Sequence, residues 1–210
     1  MIDPTILLFI IIVIIFSVII HELAHGYVAY SLGDPTAKYA GRLTLNPIKH
    51  IDLFGSIILP IMMALLPGGI IFGWAKPVPI NPYNFRDQKW GSLKVALAGP
   101  ATNFFIAVIF GLIIRISHLS PDLSFTHFLS IIVFYNFLLA IFNLIPIPPL
   151  DGHWILFQLI PDRFSKLKMV LQQYGIFILI FLIFFGSLEG VSLLVGYFFQ
   201  LVTGMNLTLF

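Results

Sequence analysis

The sequence has no cysteine, which excludes a disulfide framework, a thiolate nucleophile and any metal site built on sulfur. Charge is nearly as scarce. Only 10% of the 210 residues are charged, against about 25% in ordinary soluble domains. The net charge is a small +2 with no Lys/Arg cluster, so nothing suggests nucleic acid as a partner. Internal repeats and low-complexity linkers are missing too. No segment between the apolar runs is long enough for a separate soluble domain. The chain therefore reads as one domain over 1–210, with a core over about 4–155 and C-terminal helices over about 170–206.

In place of charge there are long apolar runs. Thr5 to Ile20 is almost unbroken Ile, Leu, Val and Phe, and Ile176 to Phe185 is wholly apolar. Extended by their flanks to about 20 residues, such runs match the thickness of a bilayer core. The first lacks a basic leading segment and a small-residue cleavage site, so it reads as a retained transmembrane helix rather than a signal peptide. The expectation is an all-α polytopic membrane protein with about five transmembrane helices, near 4–30, 93–116, 128–147, 170–186 and 190–206. The apolar stretch 53–72 is broken by Pro60 and Pro67-Gly68-Gly69 and is expected to be re-entrant or membrane-associated. Lys38 to Asp52 alternates loosely around Asn46-Pro47 and predicts short, hairpin-like strands. The stretch 73–91 reads as an irregular polar loop.

Basic residues set the orientation. Lys38, Arg42, Lys49, Lys76, Arg86, Lys89, Lys94, Arg163, Lys166 and Lys168 fall on one side, leaving only Arg115 near the other, provided that 53–72 does not cross. By the positive-inside rule that side is cytoplasmic. The N-terminus is then outside and the C-terminus inside.

Against this apolar background, His21-Glu22-Leu23-Ala24-His25 continues the first helix. Positions i and i+4 share a helix face, so both imidazoles can reach one ion while Glu22 stands beside it to activate water. An ionisable group at the end of a lipid-compatible run is costly to insert and is a functional candidate by default. The plainer reading is an interfacial helix end, but Tyr27 to Leu32 can carry the helix onward. A catalytic zinc takes three protein ligands and keeps one position open. Without cysteine, the best third ligand is Asp151, in Asn143-Leu144-Ile145-Pro146-Ile147-Pro148-Pro149-Leu150-Asp151-Gly152, whose prolines force extended backbone at the end of the third span. Spans one and three both run inward, so His25 and Asp151 finish on the same side.

These features resemble the site-2 protease family of intramembrane zinc metalloproteases. The resemblance rests on His21-Glu22-Leu23-Ala24-His25, on Ala98-Gly99-Pro100-Ala101-Thr102-Asn103, and on the run from Asn143 to Gly152. Gly41-Arg42-Leu43-Thr44-Leu45-Asn46-Pro47 and Trp74-Ala75-Lys76-Pro77-Val78-Pro79 are similar to compact bacterial and archaeal members. It covers about 17–155. It implies one zinc on His21, His25 and Asp151, Glu22 as general base, Asn143 lining the substrate site, transmembrane proteins as substrates, and a prokaryotic plasma membrane. Many relatives carry a PDZ domain between the motif halves, for which 73–91 is too short. Some have an extra helix before the His-Glu motif, which is absent here.

Other residues are open to two readings. Asn103 suits helix–helix hydrogen bonding as well as substrate contact. His50 and His153 could assist the site or sit in ordinary turns, and His118 and His127 belong to the outer loop. The implied reaction is peptide hydrolysis in a transmembrane segment, with the active site towards the cytoplasm and a polar channel for water. Arg42-Leu43-Thr44-Leu45 could hold an unwound substrate by strand addition. A metal transporter would want polar residues through spans four and five, which carry almost none. A closed structural metal site would have no use for Glu22.

Overall fold

A computed structural model describes residues 3–64, 73–117, 124–185 and 188–207. It contains eight α-helices among the described residues: α1 (Pro4–Ser31), α2 (Thr36–Tyr39), α3 (Leu59–Ala64), α4 (Gly91–Ile116), α5 (Ser124–Asn143), α6 (Gly152–Leu159), α7 (Ser165–Phe185) and α8 (Glu189–Thr203). Four of them, α1, α4, α5 and α7, are long and apolar enough to cross a membrane. The expected fifth span corresponds to α8, which has 15 residues. At 1.5 Å per residue it is about 22 Å long, short of the roughly 30 Å bilayer core. The outer face of α1 presents Leu8, Ile11, Ile12, Ile15 and Phe16 openly, as a lipid-facing surface requires.

α4 is the central post. Its Ala107 and Ile114 pack with Leu129, Val133 and Phe137 of α5 and with Val195, Phe199 and Val202 of α8. Gly111 lets α8 come close, since a Cβ there would lie 2.6 Å from Val202. α1 meets α5 through Ile10, Val13 and Ile131, and meets α4 through Ala29 and Val95, with Phe85 closing the contact.

Two boundaries differ from the sequence reading. The third span begins at Ser124 and stops at Asn143 rather than running over 128–147. Pro146 has no N–H to continue the ladder and disfavours helix in Ile145 before it. The fourth begins earlier than 170, at Ser165, because the amphiphilic turn Ser165-Lys166-Leu167-Lys168 is as helix-competent as the apolar run after it.

No strand is present among the described residues, so the hairpin expected over 38–52 is not formed. The segment opens with α2, turns at Gly41 (φ 63°) and ends in a 3-10 turn, Pro47–His50, capped by the Asn46 side chain on Ile48 N–H. The alternation has no ladder to join. Its neighbour, 74–76, supplies only isolated backbone bonds, Lys76 N–H to His50 O (2.9 Å) and Trp74 N–H to Gly55 O (3.1 Å). Leu43, placed there as part of an edge, turns inward against Gly26 of α1. After Asp52 the chain forms a π-helical turn, Leu53–Ile58, and then α3. The remainder of the predicted re-entrant stretch, 65–72, lies outside the described residues.

Candidate metal centre

α1 continues unbroken through His21-Glu22-Leu23-Ala24-His25, so the two imidazoles stand one turn apart with ring centroids at 4.6 Å. Both histidines are 6% exposed. Asp151 reaches them from far along the chain. Its Oδ2 lies 3.0 Å from His21 Nε2 and 3.2 Å from His25 Nε2. One ligand atom from each of the three residues fits within 4.8 Å of the others.

The backbone of 144–151 explains how Asp151 arrives. After α5 the chain makes a succession of tight turns, Ile145 N–H to Phe142 O (3.1 Å), Ile147 N–H to Ile145 O (2.8 Å) and Leu150 N–H to Ile147 O (2.9 Å), with a cis Pro148–Pro149 bond. Gly152 then packs on the Leu144 and Ile145 carbonyls, where any side chain would collide. Asp151 precedes the first residue of α6, yet its carboxylate does not cap that helix. It is turned instead towards α1.

The other ring nitrogens are both anchored on α4. His21 Nδ1 pairs with Asn103 Oδ1 at 2.6 Å, and His25 Nδ1 with the Val95 carbonyl at 2.7 Å. A carbonyl only accepts, so His25 Nδ1 carries a proton, which leaves Nε2 as the nitrogen that can face an ion. The same conclusion follows for His21 through a longer chain. Asn136 Nδ2 donates to Ile132 O (2.9 Å) and Ser17 Oγ (3.0 Å), which turns Asn136 Oδ1 to accept from Asn103 Nδ2 at 2.8 Å. Asn103 Nδ2 also reaches Ser17 O at 3.3 Å. Asn103 Oδ1 must therefore face His21. With both Nδ1 atoms committed to α4, the two Nε2 atoms and the Asp151 carboxylate that they face form a donor set suited to zinc.

Gly99 completes the cradle. A Cβ there would come within 2.5 Å of His21 Nε2 and closer still to His25 Nε2, so the third wall beside the ligand atoms must be bare backbone. Pro100 next to it lies inside α4 and lacks the N–H that would bond Ala96 O.

Glu22 is half-buried, and its Oε2 accepts from Val78 N–H at 2.8 Å. Asn143 ends α5, half-buried, with Nδ2 donating to Leu139 O at 2.9 Å. Asn103 is 0% exposed and sits behind His21 rather than in an open cleft. His153 bonds to Leu150 O through Nδ1, and His50 to Thr44 O through Nε2; neither joins the three-residue cluster. His127 stands within α5 instead of a loop, and His118 lies outside the described residues. Sequence reasoning missed Ser17, Asn136 and Gly99 as site residues. An amide in the middle of an apolar run was the available signal for Asn136, as was the i−4 spacing of Ser17 from His21.

A further buried carboxylate holds the frame. Asp34, just beyond α1, accepts from Thr36 N–H (3.1 Å), Thr36 Oγ1 (2.5 Å), Asn81 N–H (2.7 Å) and Asn84 Nδ2 (2.8 Å). Burial alone would raise its pKa, but these donors together hold it below the ordinary carboxylate value. Asp34 thereby ties the end of α1 to the 81–84 turn that follows Val78.

A multi-pass helical chain with His-Glu-x-x-His on one helix and a distant carboxylate brought onto both histidines has the make-up of a membrane metalloenzyme. Residues 9–120 and 111–185 match the model of peptidase family M50, and the chain belongs to that family, as its resemblance to the site-2 proteases implied. It is 38% identical over 188 residues to the Bacillus subtilis protein named "Putative zinc metalloprotease YwhC", covering 85% of this chain and 82% of that one. It is 32% identical to the Rip2 protein of Mycolicibacterium smegmatis, which bears the same description, over 89% of this chain and 68% of that one. Zinc metalloprotease MJ0392 of Methanocaldococcus jannaschii is 26% identical over 82% of this chain and 41% of its own length. No solved structure matches the chain.

Proposed function

We propose that this peptidase hydrolyses peptide bonds within or beside the transmembrane segments of other membrane proteins, using one zinc held by His21 Nε2, His25 Nε2 and Asp151. The observation that carries the reading is the convergence of these three donors while both Nδ1 atoms are taken up by α4. Zinc supplies Lewis acidity there, lowering the pKa of water towards about 7 and polarising a carbonyl. Glu22, next to His21 and carrying no place in the donor set, takes the water proton on its carboxylate and hands it to the leaving amine. Val78 N–H holds that carboxylate in position. The second N–H of the Asn143 amide is available to steady the developing oxyanion.

Depth agrees with this substrate class. His21 lies 17 residues beyond Pro4, about 26 Å along the helix at 1.5 Å per residue. With the N-terminus outside, as the basic residues indicate, the site stands near the cytoplasmic boundary of a core roughly 30 Å thick. A substrate helix hides its amides, so it must unwind before it is cut.

The test is zinc per chain in detergent-purified wild type, Glu22→Gln and Asp151→Ala, together with cleavage of a transmembrane reporter. We expect one zinc in wild type and Glu22→Gln, clear loss in Asp151→Ala, and cleavage by wild type alone. A folded wild type that takes up no added zinc would end the proposal.

A further inference from the structure

Among the loops that follow α1 lies a groove of about 430 Å³, lined by none of the three proposed ligands. Three of its lining residues are cations, Arg42, Lys49 and Lys76, and none is a carboxylate. Among the described residues, none of the three takes part in an ion pair. Like charges gathered on one concave surface repel unless an anion lies between them.

Arg42 is the built part of the groove. It is 7% exposed, and its Nη2 donates to the carbonyls of Lys76 (2.6 Å) and Pro77 (3.2 Å). Its buried Nε has no hydrogen-bond partner among the described residues. Unpartnered buried groups on a fixed cation are unfavourable in an empty loop and mark a place where a ligand or its bound water completes the bonding.

The rim has the opposite character. Ile48 is 73% exposed and Ile51 44%, and the apolar surface continues into Leu53 and Phe54, also open. Exposed aliphatic side chains beside a cationic hollow match the two halves of a phospholipid at the membrane surface, and the basic side of the chain is the one that faces anionic lipid.

We propose that this groove binds the phosphate of an anionic phospholipid through Arg42, Lys49 and Lys76, with the acyl chains lying along Ile48 and Ile51. The assignment stands independently of the proteolytic reading, but the two places are joined. Pro77 and Pro79 line the groove on either side of Val78, whose N–H holds Glu22. A headgroup seated there tethers the segment that positions the base.

The experiment is native mass spectrometry on the full chain, with phosphatidylglycerol and phosphatidylcholine offered in turn to wild type and to Lys49→Gln/Lys76→Gln. Both lysines are exposed, so the double variant should fold, with unchanged zinc content as the check. Wild type should prefer phosphatidylglycerol at least tenfold, and the double variant should lose that preference. Equal retention of both lipids by wild type, or of phosphatidylglycerol by both proteins, overturns the site. Two further probes settle the source of the anion. Lysine-dependent binding of inorganic phosphate without any of phosphatidylglycerol would overturn the lipid assignment. Lysine-dependent binding of an acidic peptide in preference to the lipid would give the groove to substrate instead.

Discussion

Gly99 has no side chain to contribute, yet it has one of the strictest tasks in the site. Its bare backbone faces both Nε2 atoms. A methyl group there must push the imidazoles off their common point, so Gly99→Ala should lose zinc while keeping its helix content, as metal analysis and circular dichroism would show. Asn136 acts one step further back. Replacing it by Leu removes the group that turns Asn103 towards His21, and such outer partners of a metal site typically contribute 10–100-fold in affinity. We expect a loss of roughly that size for Asn136→Leu in a chelator competition titration. An unchanged affinity would mean that Asn103 holds its orientation unaided. The three proposed donors, which the structure brings together, could be picked from the sequence because ionisable groups at the ends of apolar runs stand out. The parts played by Asn136 and Gly99 could not, since an amide in an apolar run or a glycine in a motif marks a position without saying which helix stands opposite.

At the scale of elements, the long helices were readable from run length alone, whereas the connections were not. The 38–52 segment alternates like a strand, but its neighbour offers isolated backbone bonds rather than a ladder, and a capped 3-10 turn results. Asp34 shows what holds such connections in place. Its carboxylate joins α1, α2 and the 81–84 turn. Because its folded pKa lies below the unfolded value, the stability it gives is fully present above about pH 4 and is lost as pH falls through the lowered folded value. The thermal unfolding temperature in detergent should therefore fall in acid for wild type and show a smaller acid dependence in Asp34→Asn. Removing the acceptor altogether, in Asp34→Ala, should destabilise by about 1–3 kcal/mol.

For the whole molecule the sequence made a claim that the helices alone do not test, namely which end faces which compartment. The lack of cysteine makes it easy to address. Tyr39 is 83% exposed beyond α1, and Phe125 is 60% exposed at the start of α5. Single cysteines placed there should react with a membrane-impermeant maleimide from opposite faces, Tyr39→Cys only after the cytoplasmic side is opened. Labelling of Tyr39→Cys from outside would overturn the arrangement in which the basic loops are inside. The span count was hard to read from the sequence, because α8 is apolar but short, and hydropathy reports composition rather than where a helix stops.

The histidines are fastened to α4 by bonds that need no ion, and the helices meet through apolar faces that take no part in the donor set. Unlike a small domain that collapses only around its metal, this chain should keep its fold when stripped. Chelation should abolish cleavage without changing helix content, and added zinc should restore it. Biogenesis then separates into two events: the ribosome and the insertion machinery can deliver a finished but silent protein to the bilayer, and the supply of zinc decides when it begins to cut.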